Sequence, residues 1–357
     1  MSTHFYKLKV NDIRKETADC VSIGFQIPEA LKSEFQFQQG QHITIKTNIN
    51  GKEIRRNYSI CSSPLDNDYR IAVKKIDNGL FSTFANDQIS IGDEFDVMPP
   101  HGKFYTKLDS KHQKKYVAFS AGSGITPVIS NIKTILKQEP NSECILVFGN
   151  KYTSSIIFKE ELEAIKNKFI GRLQLIHILS RERTEAPINN GRIDAKKLEQ
   201  LSKLIQWKNV DEFFLCGPEE MIITTKDFLE SLEIDKKKIH YELFNATQKT
   251  RTTAVKVQNQ SNIKSQVSII SDGRTFEISL GLNENKSILD AALEIVADLP
   301  FACKGGVCCT CKAKLIEGKV DMDVNWGLEQ EEIEQGYILT CQSHPTTAKV
   351  VVDFDVK

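Results

Sequence analysis

The sequence predicts a multidomain protein: an antiparallel β-barrel, then an α/β domain with a parallel sheet, then a small α+β module. Three observations carry this. Residues 5–100 fall into short alternating segments separated by turn residues. Residues 115–245 alternate strand-like and helix-like runs, and residues 303–341 hold one spaced set of four cysteines. A chain of 357 residues also exceeds one ordinary domain.

The barrel strands are expected at 6–13, 20–27, 42–46, 54–60, 69–76 and 94–97. Asn50-Gly51, Ser63-Pro64, Asp77-Asn78-Gly79, Gly92-Asp93 and Pro99-Pro100 supply turns between them. Beyond 115, strands are expected at 116–121, 144–149, 173–180 and 212–216, with helices at 127–138, 158–168, 195–204 and 218–232. Thr126 is placed to cap the first helix and Pro127 to open it. The polar stretch 246–262 lacks acidic residues and bulky apolar clusters and reads as a linker. After it come a hairpin turning at Asp272-Gly273, a helix from Ser287 to Ala297 and strands at 312–316 and 349–354. The expected boundaries are therefore 1–108, 109–245, 246–262 and 263–357.

Composition narrows the classes. Charged residues make up 26% and hydrophobic ones 40%, as in globular proteins. The apolar runs are strand-length, and the first residues carry no secretory core, so the expectation is a cytoplasmic protein without a membrane span. Residues 263–357 hold 9 Lys+Arg and 15 Asp+Glu, a net of −6, against +6 for the rest. That asymmetry suggests charge-steered docking of an acidic module. No basic tract interleaved with aromatics appears, which argues against nucleic-acid binding.

Cys303, Cys308 and Cys311 are spaced C-x4-C-x2-C, and Cys341 follows thirty positions later. This is the plant-type ligand spacing for a 2Fe-2S cluster. Gly305 and Gly306 suit a loop whose backbone N–H groups must approach anionic sulfurs closely. A zinc site would pair two CxxC-like units, and a disulfide scaffold belongs to short secreted chains. Cys309 reads as a passive neighbour. Cys20, Cys61, Cys144 and Cys216 are scattered singly, as reduced thiols are.

Gly122-Ser123-Gly124-Ile125-Thr126-Pro127 lies between a strand and a helix, so its N–H groups can cradle an anion. Pro127 stands where the Rossmann fingerprint has its third glycine, and a tight structural turn is the competing reading. Arg56-Asn57-Tyr58-Ser59 ends one barrel strand, and Gly79 to Ser82 follows another. The Tyr58 ring can lie against a flat heteroaromatic system while Arg56 and Ser82 meet a phosphate. Nicotinamide gives electrons in pairs and a 2Fe-2S cluster takes them singly, so a group that handles both must stand between them, and a flavin is the usual one.

On these motifs, together with Cys216-Gly217-Pro218, residues 1–245 resemble the ferredoxin–NADP reductase superfamily. Residues 263–357 resemble a plant-type ferredoxin, a β-grasp fold. The whole chain is similar to the family of reductase subunits of phenylacetyl-CoA epoxidases. The stretches Asn190-Gly191-Arg192-Ile193-Asp194 and Asp298 to Cys308 carry that closer likeness.

The resemblance implies FAD rather than FMN, with Arg56, Tyr58 and Ser59 holding its ring and phosphates and Gly79 and Ser82 at the pyrophosphate. It implies Gly122 and Gly124 along the dinucleotide, and Thr126 and Cys216 at the hydride-transfer centre with Gly217 and Pro218 shaping the pocket. Ser180 and Arg181, with Arg183 near, stand where the superfamily binds a 2′-phosphate, which favours NADPH. Cys303, Cys308, Cys311 and Cys341 are the implied metal ligands. The implied partner is a set of di-iron oxygenase subunits. A reductase of an aromatic-ring dioxygenase or demethylase, and a redox-sensing module, are the alternatives.

Overall fold

A computed structural model describes residues 4–244, 264–282, 284–295 and 299–356. The expected linker, 246–262, lies outside the described residues, as does the expected extension of the 287–297 helix past Ile295. The described chain forms two compact units, the first ending at Leu243.

The first unit opens with β1 (Tyr6–Thr17), β2 (Cys20–Gln26), β3 (His42–Ile49), β4 (Lys52–Ser59), β5 (Arg70–Lys74) and β6 (Glu94–His101), with helix α1 (Leu80–Asp87) between β5 and β6. They form one antiparallel sheet in the order β4-β3-β6-β1-β2-β5. The sheet curls until its two edges meet at an antiparallel bridge between Ile60 and Ile71. Closure removes the open edges that would otherwise invite mispairing. Alternation along the strands fills the interior with Leu8, Val10, Ile23, Ile43, Ile45, Ile71 and Val97. Helix α1 has no counterpart among the expected elements, because Leu80-Phe81-Ser82-Thr83 has weak helical propensity; Phe81, buried inside the barrel, anchors it.

The second sheet is parallel, from β7 (Lys115–Ala121), β8 (Glu143–Asn150), β9 (Leu173–Leu179), β10 (Glu212–Cys216) and β11 (Ile239–Glu242), in the order β11-β10-β7-β8-β9. Helices α2 (Ile125–Gln138), α3 (Lys159–Lys168), α4 (Ala195–Leu201) and α5 (Glu219–Ser231) connect its strands. Strand β11 is also unexpected, because a buried Ile239 followed by three half-buried residues with polar groups carries little pattern.

Helix α2 joins the two sheets. It is buried along nearly its whole length, yet carries Ser130, Asn131 and Thr134. Each reaches the barrel side. Ser130 Oγ donates to Ser62 O at 2.6 Å, Asn131 Nδ2 to Phe104 O at 3.0 Å, and Thr134 Oγ1 meets Ser63 Oγ at 2.8 Å. The capping expectation for Thr126 is corrected: a short 3-10 turn over Gly122–Gly124 leads into the helix, and Gly124 precedes its first residue. Thr126 lies within the first turn, and its hydroxyl donates to Ser123 O at 3.0 Å.

At the far end of α2, the fully buried Glu139 gathers four donors: Asp109 N, His112 Nδ1, Tyr116 OH and Ser142 Oγ, at 2.7–3.1 Å. Glu139→Leu leaves the buried Tyr116 and Ser142 hydroxyls without this acceptor. The expected loss is about 3 kcal/mol, read as a lower urea midpoint, with Glu139→Gln losing less.

The second unit holds β12 (Lys264–Ser271), β13 (Arg274–Gly281), α6 (Ile288–Ala292), β14 (Lys312–Glu317), β15 (Val320–Met322), α7 (Gln330–Glu334), β16 (Tyr337–Leu339), β17 (Ser343–Pro345) and β18 (Lys349–Asp353). The main sheet runs β13-β12-β18-β14-β16, with β12 and β18 parallel and the other pairs antiparallel. Ser287 caps α6 as expected, its Oγ accepting from Asp290 N at 3.1 Å. Ile288, Leu289, Ala291 and Ala292 pack α6 into the core beneath the sheet.

Candidate redox sites

In the parallel sheet, β8 and β9 lie to one side of β7, and β10 and β11 to the other. The order reverses between β7 and β10, which makes their C-terminal ends the natural crevice for a dinucleotide. The loops leaving those two strands are Gly122–Gly124 and Gly217-Pro218. They are in direct backbone contact: a Cβ added at Gly124 would lie 2.1 Å from Cys216 O, and one at Gly217 would lie 3.1 Å from Ala121 N. Gly122 differs, with φ +55° and open space around its missing Cβ. Gly124 thus permits close approach, whereas Gly122 supplies a left-handed turn.

Cys216 is fully buried, and burial pushes its thiol well above the usual range, so it is a neutral thiol rather than a thiolate. Ser180 and Arg181 follow β9; Arg181 is exposed, and Ser180 Oγ reaches Asn150 O at 3.3 Å. Asn190 pairs beside Leu179, and Gly191 N donates to Leu179 O at 2.8 Å, which sets Arg192 next to that strand end. In the sequence, Arg192 stands out only within the stretch Asn190–Asp194; its placement beside Ser180 is a product of the Leu179–Asn190 pairing.

On the barrel, Arg56 and Tyr58 share the edge strand β4, and Tyr58 lies 5.3 Å, centroid to centroid, from Phe81. Arg56 Nη1 donates to Arg55 O at 2.7 Å, and no acidic side chain pairs with it among the described residues. Gly79 precedes α1, and a Cβ there would meet Ser82 Oγ at 2.3 Å. Ser82 Oγ accepts from Ile76 N at 3.2 Å and donates to Gly79 O at 3.3 Å, so it closes the turn that exposes the helix's first N–H groups. An aromatic ring, a guanidinium without an acidic partner and a helix N-terminus fit a flavin with its phosphates.

Three residues at the barrel end carry no sequence signal strong enough to single them out: His42, His101 and Glu242. Ser59, at the end of β4, stands opposite His42 on β3, and His42 stands opposite His101 on β6. Glu242, the last residue of β11, reaches this row, with Oε1 3.4 Å from His42 Nδ1 and Ser59 as a hydrogen-bond partner. Burial raises the Glu242 carboxyl to about 8, an effect that the Ser59 hydroxyl partly offsets. The available signal is a Glu among aromatic and apolar residues in Tyr241-Glu242-Leu243-Phe244, on a strand too short to be recognised.

In the second unit the four cysteines meet as two pairs, Cys303 with Cys308 and Cys311 with Cys341, each pair in thiol–thiol contact. Two irons that each need two terminal thiolates require this arrangement. Among the described residues, no three His, Cys, Asp or Glu side chains gather as a site for a single metal ion. Gly305 N donates to Cys303 Sγ at 3.2 Å. The contact with Cys308 and N–H groups of Gly305, Val307 and Cys308 lower the Cys303 thiol to about 6. Of the two loop glycines, only Gly306 takes positive φ (+74°); Lys304 (+51°) and Cys309 (+57°) share the left-handed bends. Gly305 takes no positive φ and instead brings its N–H close to the Cys303 sulfur. Cys309 turns away and its Sγ contacts Gly327 O.

Comparison with known proteins adds three families. Residues 7–105 match the oxidoreductase FAD-binding domain, 119–227 the oxidoreductase NAD-binding domain and 270–346 the 2Fe-2S iron-sulfur cluster binding domain. The chain is 43% identical over 359 residues to one of the subunits of 1,2-phenylacetyl-CoA epoxidase from Escherichia coli, covering 99% of each. It is 31% identical to the ferredoxin reductase component of 3-ketosteroid-9-alpha-monooxygenase from Rhodococcus rhodochrous, over 97% of this chain and 96% of the relative. Among solved structures, phthalate dioxygenase reductase aligns with a TM-score of 0.60 at 25% identity, over 98% of both chains.

Proposed function

The chain belongs to the family of flavin and 2Fe-2S reductase components of multicomponent oxygenases, and from that premise we propose that it carries electrons from NADPH to the di-iron oxygenase that epoxidises phenylacetyl-CoA. The observation that carries this is full-length likeness, 43% over 99% of both chains, to a component of a phenylacetyl-CoA epoxidase. In this reading Tyr58 and Arg56 seat the flavin, which converts paired electrons to single ones. Gly122, Gly124, Gly217 and Pro218 admit the nicotinamide beside Thr126 and Cys216. The cluster on Cys303, Cys308, Cys311 and Cys341 receives electrons last. The domain boundaries at 108 and 245 belong to the same proposal.

Capture of the tagged full-length chain with its oxygenase, followed by phenylacetyl-CoA turnover, tests the partner. Epoxide formed with NADPH supports the proposal. A preference for a steroid or aromatic-ring oxygenase, with no epoxide, overturns the substrate assignment.

The preference for NADPH has its own observation. The guanidinium groups of Arg181, Arg183 and Arg192 make no ion pair or hydrogen bond among the described residues, while Glu182, between the first two, is tied to Thr153 N and Oγ1 at 2.7 Å. Uncommitted guanidinium groups suit a 2′-phosphate dianion. Arg181→Ala is expected to raise KM for NADPH by roughly tenfold and leave NADH kinetics unchanged. Equal effects on both cofactors would remove Arg181 from that site.

A further inference from the structure

In the second unit one buried side chain links the two cysteine-bearing segments: Gln342, which follows Cys341 and is 7% exposed. Its amide nitrogen Nε2 donates to Lys304 O at 2.8 Å and to Cys341 O at 3.1 Å, so both of its hydrogens are used. Its backbone is fixed on both sides. Gln342 N donates to Leu339 O at 2.9 Å, and Gln342 O accepts from Asp323 N at 3.0 Å. The stem lies against the cysteine loop as well. A Cβ added at Gly306 would stand 3.0 Å from Gln342 Cγ and 2.7 Å from Val324 O, so glycine there lets loop and stem touch.

Lys304 O and Gly305 N belong to one peptide, and in a trans peptide the carbonyl and the N–H point in opposite directions. On one side this peptide accepts from Gln342, and on the other it donates to Cys303 Sγ at 3.2 Å. Lys304 takes φ +51° to turn the peptide this way, a conformation that residues with a Cβ avoid. Its side chain pairs with Asp290 at 2.7 Å, but the partners are 42% and 44% exposed, and such a pair constrains little. The buried amide of Gln342 is the stronger hold on the peptide.

We propose that Gln342 is a positioning residue for the cluster: it holds the Lys304–Gly305 peptide so that the Gly305 N–H faces the Cys303 sulfur, and through that contact it sets the reduction potential. This rests on the ligand set of the proposed function. A 2Fe-2S cluster takes up one electron and its sulfurs become more negative, so an N–H aimed at a sulfur favours the reduced form. The N–H groups of Val307 and Cys308 also face the Cys303 sulfur. Loss of the Gly305 contact therefore weakens the donor set without emptying it.

The test is the midpoint potential of the cluster in the full-length protein, read by absorbance and EPR with redox mediators in place of NADPH. Gln342→Met keeps the length of the side chain and removes the donor. Its reduction equilibrium is expected to shift about tenfold toward the oxidised form, a fall of about 59 mV for one electron. Glycine labelled at nitrogen separates positioning of the peptide from a direct effect of the amide dipole. The strongest glycine coupling of the reduced cluster, read by pulsed EPR, should weaken in the variant. An unchanged potential, or a lower one with an unchanged glycine coupling, overturns the proposal. If Gln342→Met does not fold, Gln342→Asn, whose amide is one methylene too short to reach Lys304 O, should show the same two changes, and wild-type values in it overturn the proposal. Absence of any glycine coupling in the wild type overturns it without a variant. A chain that takes up no iron and sulfide overturns the ligand set and this inference together. Because mediators replace NADPH and no oxygenase is present, a wrong coenzyme or partner counts against the proposed function alone.

Discussion

In Cys308→Ser protein, NADPH reduces the flavin at close to the wild-type rate, while electron delivery to the oxygenase falls by roughly 100-fold or more. Cys308 faces Cys303 as one of the two thiol pairs, is 8% exposed and belongs to the second unit, so in the proposed reading the substitution removes one of two terminal ligands from one iron. A serine oxygen is a harder, more basic donor than a thiolate, and a cluster held by it is lost or shifted in potential. Ferricyanide, which takes electrons from the flavin directly, separates the two steps. Its reduction should stay within about twofold of wild type. Undiminished delivery to the oxygenase would put the cluster off the electron path.

Gly124→Ala is the second large effect, and it is a steric one. The new methyl carbon would stand 2.1 Å from Cys216 O, 2.5 Å from Cys216 C and 2.8 Å from Gly217 N. All three are backbone atoms, so no side chain can turn aside. The two loops at the switch point must separate by about an ångström or more, and misplacement on that scale costs about 100-fold in rate. Hydride transfer from NADPH should fall by that order, with flavin content unchanged because the barrel residues are untouched. Gly122→Ala is the internal control. Its Cβ meets nothing within 4 Å, so only the left-handed backbone at φ +55° is strained, by about 1 kcal/mol. That variant should lose a few degrees of Tm and little rate. Equal losses in both variants would mean that strain, rather than crowding at the switch point, governs this loop.

The parts of the molecule with a repeating physical signal were legible in the sequence. Alternation over 6–13 and 20–27 marks β1 and β2, and the cysteine spacing marks the four thiols that the fold gathers into two pairs. The strand–glycine–helix order at 116–138 locates the crevice, although Thr-Pro is the stronger local signal and draws the cap to Thr126. A 3-10 turn, which leaves no pattern in sequence, displaces it. The acid–imidazole row was not legible. Its members, His42, Ser59, His101 and Glu242, come from four strands and are brought together only by the barrel register and the end of β11. No spacing in the chain encodes such a cluster. Arg192 shows the same limit, since its nearness to Ser180 depends on the bridge between Leu179 and Asn190.

The order of electron flow is tested most directly by anaerobic rapid mixing of the full-length protein with one equivalent of NADPH, following flavin and cluster absorbance together. The account predicts that flavin bleaching comes first, that cluster bleaching follows it, and that added oxidised oxygenase restores the cluster absorbance first and the flavin absorbance after it. A cluster that stays oxidised while the oxygenase is reduced, or one that bleaches before the flavin, would contradict it.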